Sequence, residues 1–152
     1  MEAASLVGRT IRTVWVCRSE GVHPAWIDTN TLPIVAFDAF LEFADGDLVR
    51  ISPCEVDLSP ERYPALGLAV QPCNRDSLKF LPGQGQTVEA VELEETMPFM
   101  PFVITGIDES DPLGEDTINQ YSLSGGSDRV ITFRHIMPPM TLGIAVGLSV
   151  GT

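Results

Sequence analysis

Ile34-Val35-Ala36-Phe37-Asp38-Ala39-Phe40-Leu41-Glu42-Phe43, followed by Ala44-Asp45-Gly46-Asp47 and then Leu48-Val49-Arg50-Ile51, is the stretch that decides the fold. Along its first ten residues Val35, Phe37, Ala39, Leu41 and Phe43 share one parity and are all apolar. Asp38 and Glu42 fall on the other parity with Ile34, Ala36 and Phe40. A period of two is the signature of a strand with one face in a core. Asp45-Gly46 tolerates the positive φ of a tight turn, so the chain reverses there. The return strand reads Leu48 to Ile51 and is expected to stop before Pro53, which has no N–H for a ladder.

The rest of the chain reads the same way. Ile118–Leu123 and Val130–His135 flank Ser124-Gly125-Gly126-Ser127-Asp128, where the glycine pair is expected to supply a second hairpin turn. Gly8–Cys17 is rich in β-branched residues around Trp15, and Thr87–Leu93 and Phe102–Ile107 are further strand candidates. Twelve Pro and 13 Gly punctuate these short runs. Helix is expected to be little or absent, beyond a single turn at Ser59-Pro60-Glu61-Arg62.

Leu66-Gly67-Leu68-Ala69-Val70 reappears as Leu142-Gly143-Ile144-Ala145-Val146, each time after a hairpin and a proline-bearing link. Large residues alternate with small ones, so one face can fill a core while the other lets a neighbouring layer approach. The expectation is a mainly β fold of antiparallel sheets in a single domain over 1–152. Two similar halves, approximately 6–70 and 87–150, would be related by a pseudo-twofold axis around one core. Chance likeness of two short apolar strands is the alternative.

The 152 residues include nine Lys+Arg against 21 Asp+Glu, a net charge of −12. Such a surface cannot displace counterions from a phosphate backbone or bind anionic lipid, which excludes a general nucleic-acid or membrane binder. An acidic start at Met1-Glu2 and no long apolar run leave no signal peptide or membrane span to expect. Cys17, Cys54 and Cys73 are odd in number and lack CxxC spacing, so reduced thiols in the cytoplasm are expected, with no disulfide framework and no structural zinc.

Charge is concentrated. Residues 80–128 hold ten acids and no Lys or Arg. Two clusters stand out, Glu89, Glu92, Glu94 and Glu95, then Asp108, Glu109, Asp111, Glu115 and Asp116. They suit a solubilising face, or a docking surface that steers a basic partner. As a calcium loop, 108–116 lacks the alternating ligands and glycine of an EF-hand, and no metal is expected.

Catalytic spacings are missing as well. His23 and His135 form no ligand pair, and His135 closes a strand where a structural role is expected. Ser124-Gly125-Gly126-Ser127 is not a nucleophile elbow, and Gly83-Gln84-Gly85-Gln86 lacks the lysine of a phosphate loop. No enzyme activity and no cofactor are expected. Trp26 reads as an interface anchor or as a cover over a sheet edge. Met97-Pro98-Phe99-Met100-Pro101-Phe102 reads as core cover or as a hydrophobic patch among carboxylates.

Gly8-Arg9-Thr10-Ile11-Arg12-Thr13-Val14, with Phe43-Ala44-Asp45-Gly46-Asp47-Leu48-Val49-Arg50-Ile51, resembles the opening of small acidic immunity proteins of bacterial polymorphic or contact-delivered toxin systems. The match covers roughly the first third of the chain and carries over no functional residue. It implies a non-catalytic inhibitor that occludes a cognate toxin's active site. A toxin with a basic cleft would meet Asp108, Glu109, Asp111, Glu115 and Asp116, with Glu92, Glu94, Glu95 and Trp26 as further contacts. The alternative is a structural or assembly β-module, an accessory subunit of a larger complex, for which a homodimer would be one form.

Overall fold

The computed structural model describes residues 1–18, 32–78, 89–137 and 140–148. It is mainly β, with an antiparallel sheet curled into a half-barrel. The strands are β1 (Thr10–Arg18), β2 (Ile34–Phe43), β3 (Leu48–Val56), β4 (Ala65–Cys73), β5 (Val91–Glu92), β6 (Phe102–Val103), β7 (Gly106–Ser110), β8 (Gln120–Ser124), β9 (Arg129–Ile136) and β10 (Thr141–Leu148). The path runs β4-β3-β2-β10-β9-β8-β7, and β1 lies on the remaining side of β2 with β5 and β6 along it.

β2 organises this path by changing partner midway. Ala39–Glu42 pair with β3, whereas Ile34–Ala36 pair with β10. β1 runs along β2 from Phe43 to Ala36, so β3 and β10 occupy the same side of β2, one after the other. The change falls at Phe37. Cys17 pairs with Asp38 and Arg18 with Ala36, which leaves Phe37 as an extra residue, a β-bulge. On the β3 side the ladder ends just before Pro53, which cannot donate.

The bulge corrects the expected face assignment. A one-residue insertion exchanges the two faces beyond it. Ile34 and Ala36 therefore join the main core together with Ala39, Leu41 and Phe43. Val35 packs outside with Leu32 and Ile136, and Phe37 and Phe40 pack outside with Cys17, Leu48, Leu78 and Ala90. The apolar residues of the second parity thus have their own partners, and β2 is buried on both faces.

The main core draws on both meanders, from Val49, Ile51, Leu68 and Val70 to Leu123, Ile131, Phe133, Leu142 and Ile144. Its open side is tied across at β4. The Leu68 N–H donates to the Ile118 carbonyl (3.1 Å), the Tyr121 hydroxyl to the Leu68 carbonyl (3.4 Å), and His135 Nδ1 lies 2.8 Å from the Gly67 carbonyl. At the other side, β6 pairs with β1, the Gly8 N–H donates to Ile104, and the chain then enters β7 beside β8.

Both repeated pentapeptides behave as their large–small alternation implies. Leu68 and Val70, and likewise Leu142 and Ile144, face the core. A Cβ on Gly67 would stand 3.0 Å from Val56 Cγ2, and one on Gly143 would stand 2.9 Å from Ile136 Cγ2. The path by itself does not establish the expected twofold arrangement: β10 pairs with both β9 and β2, whereas β4 pairs with β3 and meets the second half through the Leu68–Ile118 bond.

Other boundaries differ for local reasons. β3 continues through Pro53 to Val56, because there it pairs only with β4. Phe102–Ile107 splits into β6 and β7, which serve different partners. Of Thr87–Leu93 only Val91–Glu92 forms a strand among the described residues, Thr87 and Val88 lying outside them. Short 3-10 turns form at Ala3–Leu6, Arg75–Leu78 and Glu94–Phe99. Ser59 Oγ accepts the Glu61 N–H at 3.1 Å, the single turn expected there.

Gly46 has φ 92°, as its turn requires, but the second hairpin works otherwise. Its left-handed positions are Ser127 and Asp128. Gly125 is small because a Cβ there would stand 2.6 Å from Cε2 of the buried Phe102 ring. Gly125→Ala should therefore cost about 1–3 kcal/mol by overpacking, whereas Gly126→Ala, with open space around it, should be neutral or slightly stabilising. Thermal unfolding of the two variants checks this, and equal effects would refute it.

Candidate functional site

The two acidic clusters lie on different borders of the sheet. Asp108 and Glu109 lie beyond the end of the strand expected over Phe102–Ile107 and fall on β7, which among the described residues pairs with β8 alone. Alternation turns them to opposite faces of that edge strand, Glu109 beside Tyr121 and Asp108 beside Ser122. Both are exposed and form no salt bridge among the described residues. Charged side chains on an open edge also deter strand-to-strand aggregation.

Asp111 has a different role. Its carboxylate accepts the N–H groups of Glu115 (2.8 Å) and Asp116 (2.9 Å) and the Asn119 side-chain amide (2.6 Å), and its carbonyl accepts Gly114 N–H. Those backbone bonds, with the amide of Asn119, hold its carboxyl below the usual carboxylate range. It fastens the 111–119 loop, in which Gly114 and Asp116 have positive φ. Asp116 and Glu115 are engaged by Arg62 from the loop after β3, at 3.1 Å and 3.9 Å.

The other cluster borders β1. Glu92 lies on β5 opposite Trp15, and Glu94 and Glu95 open the 3-10 turn Glu94–Phe99. Glu95 pairs with Arg18, while Glu92 and Glu94 are exposed and form no salt bridge among the described residues. In the same region Phe99, Met100 and Phe102 pack into the core, while Met97, Val91 and Val103 are about half exposed. Trp26, His23 and Gly83–Gln86 lie outside the described residues.

Six of the eight arginines are salt-bridged to acids. Arg9 reaches Asp45 and Asp47 and stacks 4.1 Å over the Phe43 ring, fastening the start of β1 to the first hairpin. These are the two segments that carry the sequence resemblance. With basic groups held in such pairs, the free surface charge is predominantly negative.

The two carboxylates that share the second parity of β2 with Ile34, Ala36 and Phe40 are buried. Asp38 and Glu42 are each 3% exposed. Asp38 accepts from Arg50 at 2.7 Å, and desolvation, only partly offset by Arg50, pushes its carboxyl up. Glu42 accepts from Arg12, from Trp15 Nε1 (3.1 Å) and from Arg75 (3.2 Å). Burial works to raise Glu42, but these hydrogen bonds outweigh it and hold the group below its usual value. The sequence signal was available: two acids inside an apolar strand, with basic Arg12 and Arg50 on adjacent strands.

Among the described residues, His135 is engaged and the three cysteine thiols are pushed up. His135 is fully buried with both ring nitrogens engaged, by Gly67 and by the Met140 N–H. Burial, reinforced by Asp38, pushes the Cys17 thiol up to about 11, and burial also raises Cys54 and Cys73. Among the described residues no three His, Cys, Asp or Glu side chains are placed to hold a metal, and no helix is long and apolar enough to cross a membrane.

Comparison with known proteins returned no matching family model, no matching curated protein and no matching solved structure.

Glu42→Gln removes the charge that Arg12 and Arg75 converge on and should cost about 1–3 kcal/mol in denaturant unfolding. Because the folded-state value is lowered, that stabilisation is complete above pH 4.5 and is lost as pH falls through the lowered value. The wild type should therefore lose more stability than the variant on acidification below pH 4.5. Asp111→Ala should release the loop, seen as faster amide exchange at Glu115 and Asp116 with β2 protection unchanged.

Proposed function

We propose that this chain is a non-catalytic acidic binding protein, an immunity-type inhibitor that occludes the active-site cleft of a basic toxin domain in the bacterial cytoplasm. The observation that carries this reading is the state of Asp108 and Glu109. Among the described residues they are exposed, form no salt bridge and stand on the outer strand of the sheet, next to a loop that Asp111 and Arg62 hold in shape. A held loop costs less entropy to dock than a floppy one, and free edge carboxylates can steer encounter and then meet Arg or Lys. The engagement of His135 and the raised thiols support a role without catalysis.

The contact set is refined accordingly. Asp108 and Glu109 make the contact, Glu115 and Asp116 flank it, and Asp111 shapes it. Glu92 and Glu94 form a separate acidic border on β1. The alternative, an assembly module, draws on the outer side of β7, unpaired among the described residues, and on the half-exposed Val91, Met97 and Val103. It would show as concentration-dependent self-association.

The test begins with the neighbouring genes, where absence of a toxin-domain gene would count against the reading, and continues with a binding-rate series against that purified toxin domain. Asp108→Asn with Glu109→Gln should slow association roughly three- to tenfold at low ionic strength, converging with wild type at high salt. Unchanged rates would remove β7 from the interface, and absence of binding and of inhibition would overturn the reading.

A further inference from the structure

We propose that His135 and Met140 form an acid-released latch at the start of β10. His135 lies near the end of β9, is fully buried, and is pinned from two sides. Its Nδ1 lies 2.8 Å from the Gly67 carbonyl of β4, an acceptor, so Nδ1 carries the proton. Its Nε2 accepts the backbone N–H of Met140 at 2.9 Å. This arrangement requires the neutral ring. A second proton on Nε2 would point at the Met140 N–H, donor against donor, and the bond would break.

Met140 is the strained partner. Its φ of 68° lies in the left-handed region, unfavourable for a side chain of its type, and the residue immediately precedes β10. The bond to His135 compensates that conformation. When it is lost, Met140 is free to return to ordinary backbone angles, and the entry into β10 changes course. The latch is closed at neutral pH and opens in acid.

The surroundings set the direction of the switch. Burial favours the neutral ring and outweighs the bond to the Gly67 carbonyl and the carboxylates of Glu55 on β3 and Glu115 in the 111–119 loop, all of which favour the charged one. Arg62 is bridged to Glu115 and weakens its pull. β4 presents the Gly67 carbonyl, β10 carries no ionisable residue, and Arg134 beside His135 is engaged with Gln120. The open form therefore binds the proton more readily than the closed form. With an ordinary imidazole value of 6.5 in the open form, the opening constant should rise as pH falls from 7.5 to 5.5, by at most about tenfold.

The experiment is amide exchange of the full chain followed by NMR at pH 7.5, 6.5 and 5.5, corrected for intrinsic rates. Met140 should exchange faster than the core amide of Leu41 at every pH, with its opening constant growing as pH falls, by up to about tenfold across the range. His135→Gln, which has no titration here, should give a flat profile. A flat profile for Met140 in the wild type would overturn the latch. So would Met140 and Leu41 exchanging at one common rate, because Met140 would then open only when the whole protein unfolds. If His135→Gln does not fold, the wild-type profile still decides.

Discussion

The extra residue at Phe37 is the constraint on which this architecture depends. Without it β2 would present one parity to one core throughout and could keep a single neighbour on each side. With it, Ala39–Glu42 stay with β3 and Ile34–Ala36 turn to β10, so one strand belongs to two ladders on the same side. The curl of the sheet follows, because strands that diverge from one strand must fold over each other to bury their inner faces. It also leaves β2 covered on its outer face, where Asp38 and Glu42 survive only because arginines and Trp15 neutralise and hydrogen-bond them.

The legible parts of the fold were those in which local chemistry and tertiary context agree. Asp45-Gly46, the two hairpins and the alternation in both pentapeptides all follow from turn stereochemistry or a period of two. The illegible parts were set by partners distant in sequence. Nothing around Phe37 announces that β10 will displace β3, so the face of Ile34 and Ala36 could not be read. Gly125 looks like a turn glycine, and only the Phe102 ring explains it. Pro53 marks the end of one ladder while leaving the other intact, a distinction that needs both neighbours.

The candidate site divides in the same manner. Composition alone located the acids, and Glu109 and Asp108 do stand exposed on the sheet border. Sequence could not separate carboxylates that are free from those already spent on the chain's own N–H groups and arginines. Asp111 and Asp116 are adjacent to the free ones in sequence but bonded within the molecule. Among the described residues, a cluster of five acids is thus two charges without a salt bridge and a small scaffold.

The pairing of β2 with β10 has a consequence for how the chain is made. Ile34 meets Ile144, so a strand synthesised early waits for one synthesised late. Until then Ile34–Ala36 lack their ladder partner on that side, and Leu142 and Ile144 are missing from the core. A nascent chain can form the β2–β3–β4 meander by local contacts, but it cannot close over its apolar inner face. The final closure therefore waits on a long-range pairing, the kind of contact that forms slowly.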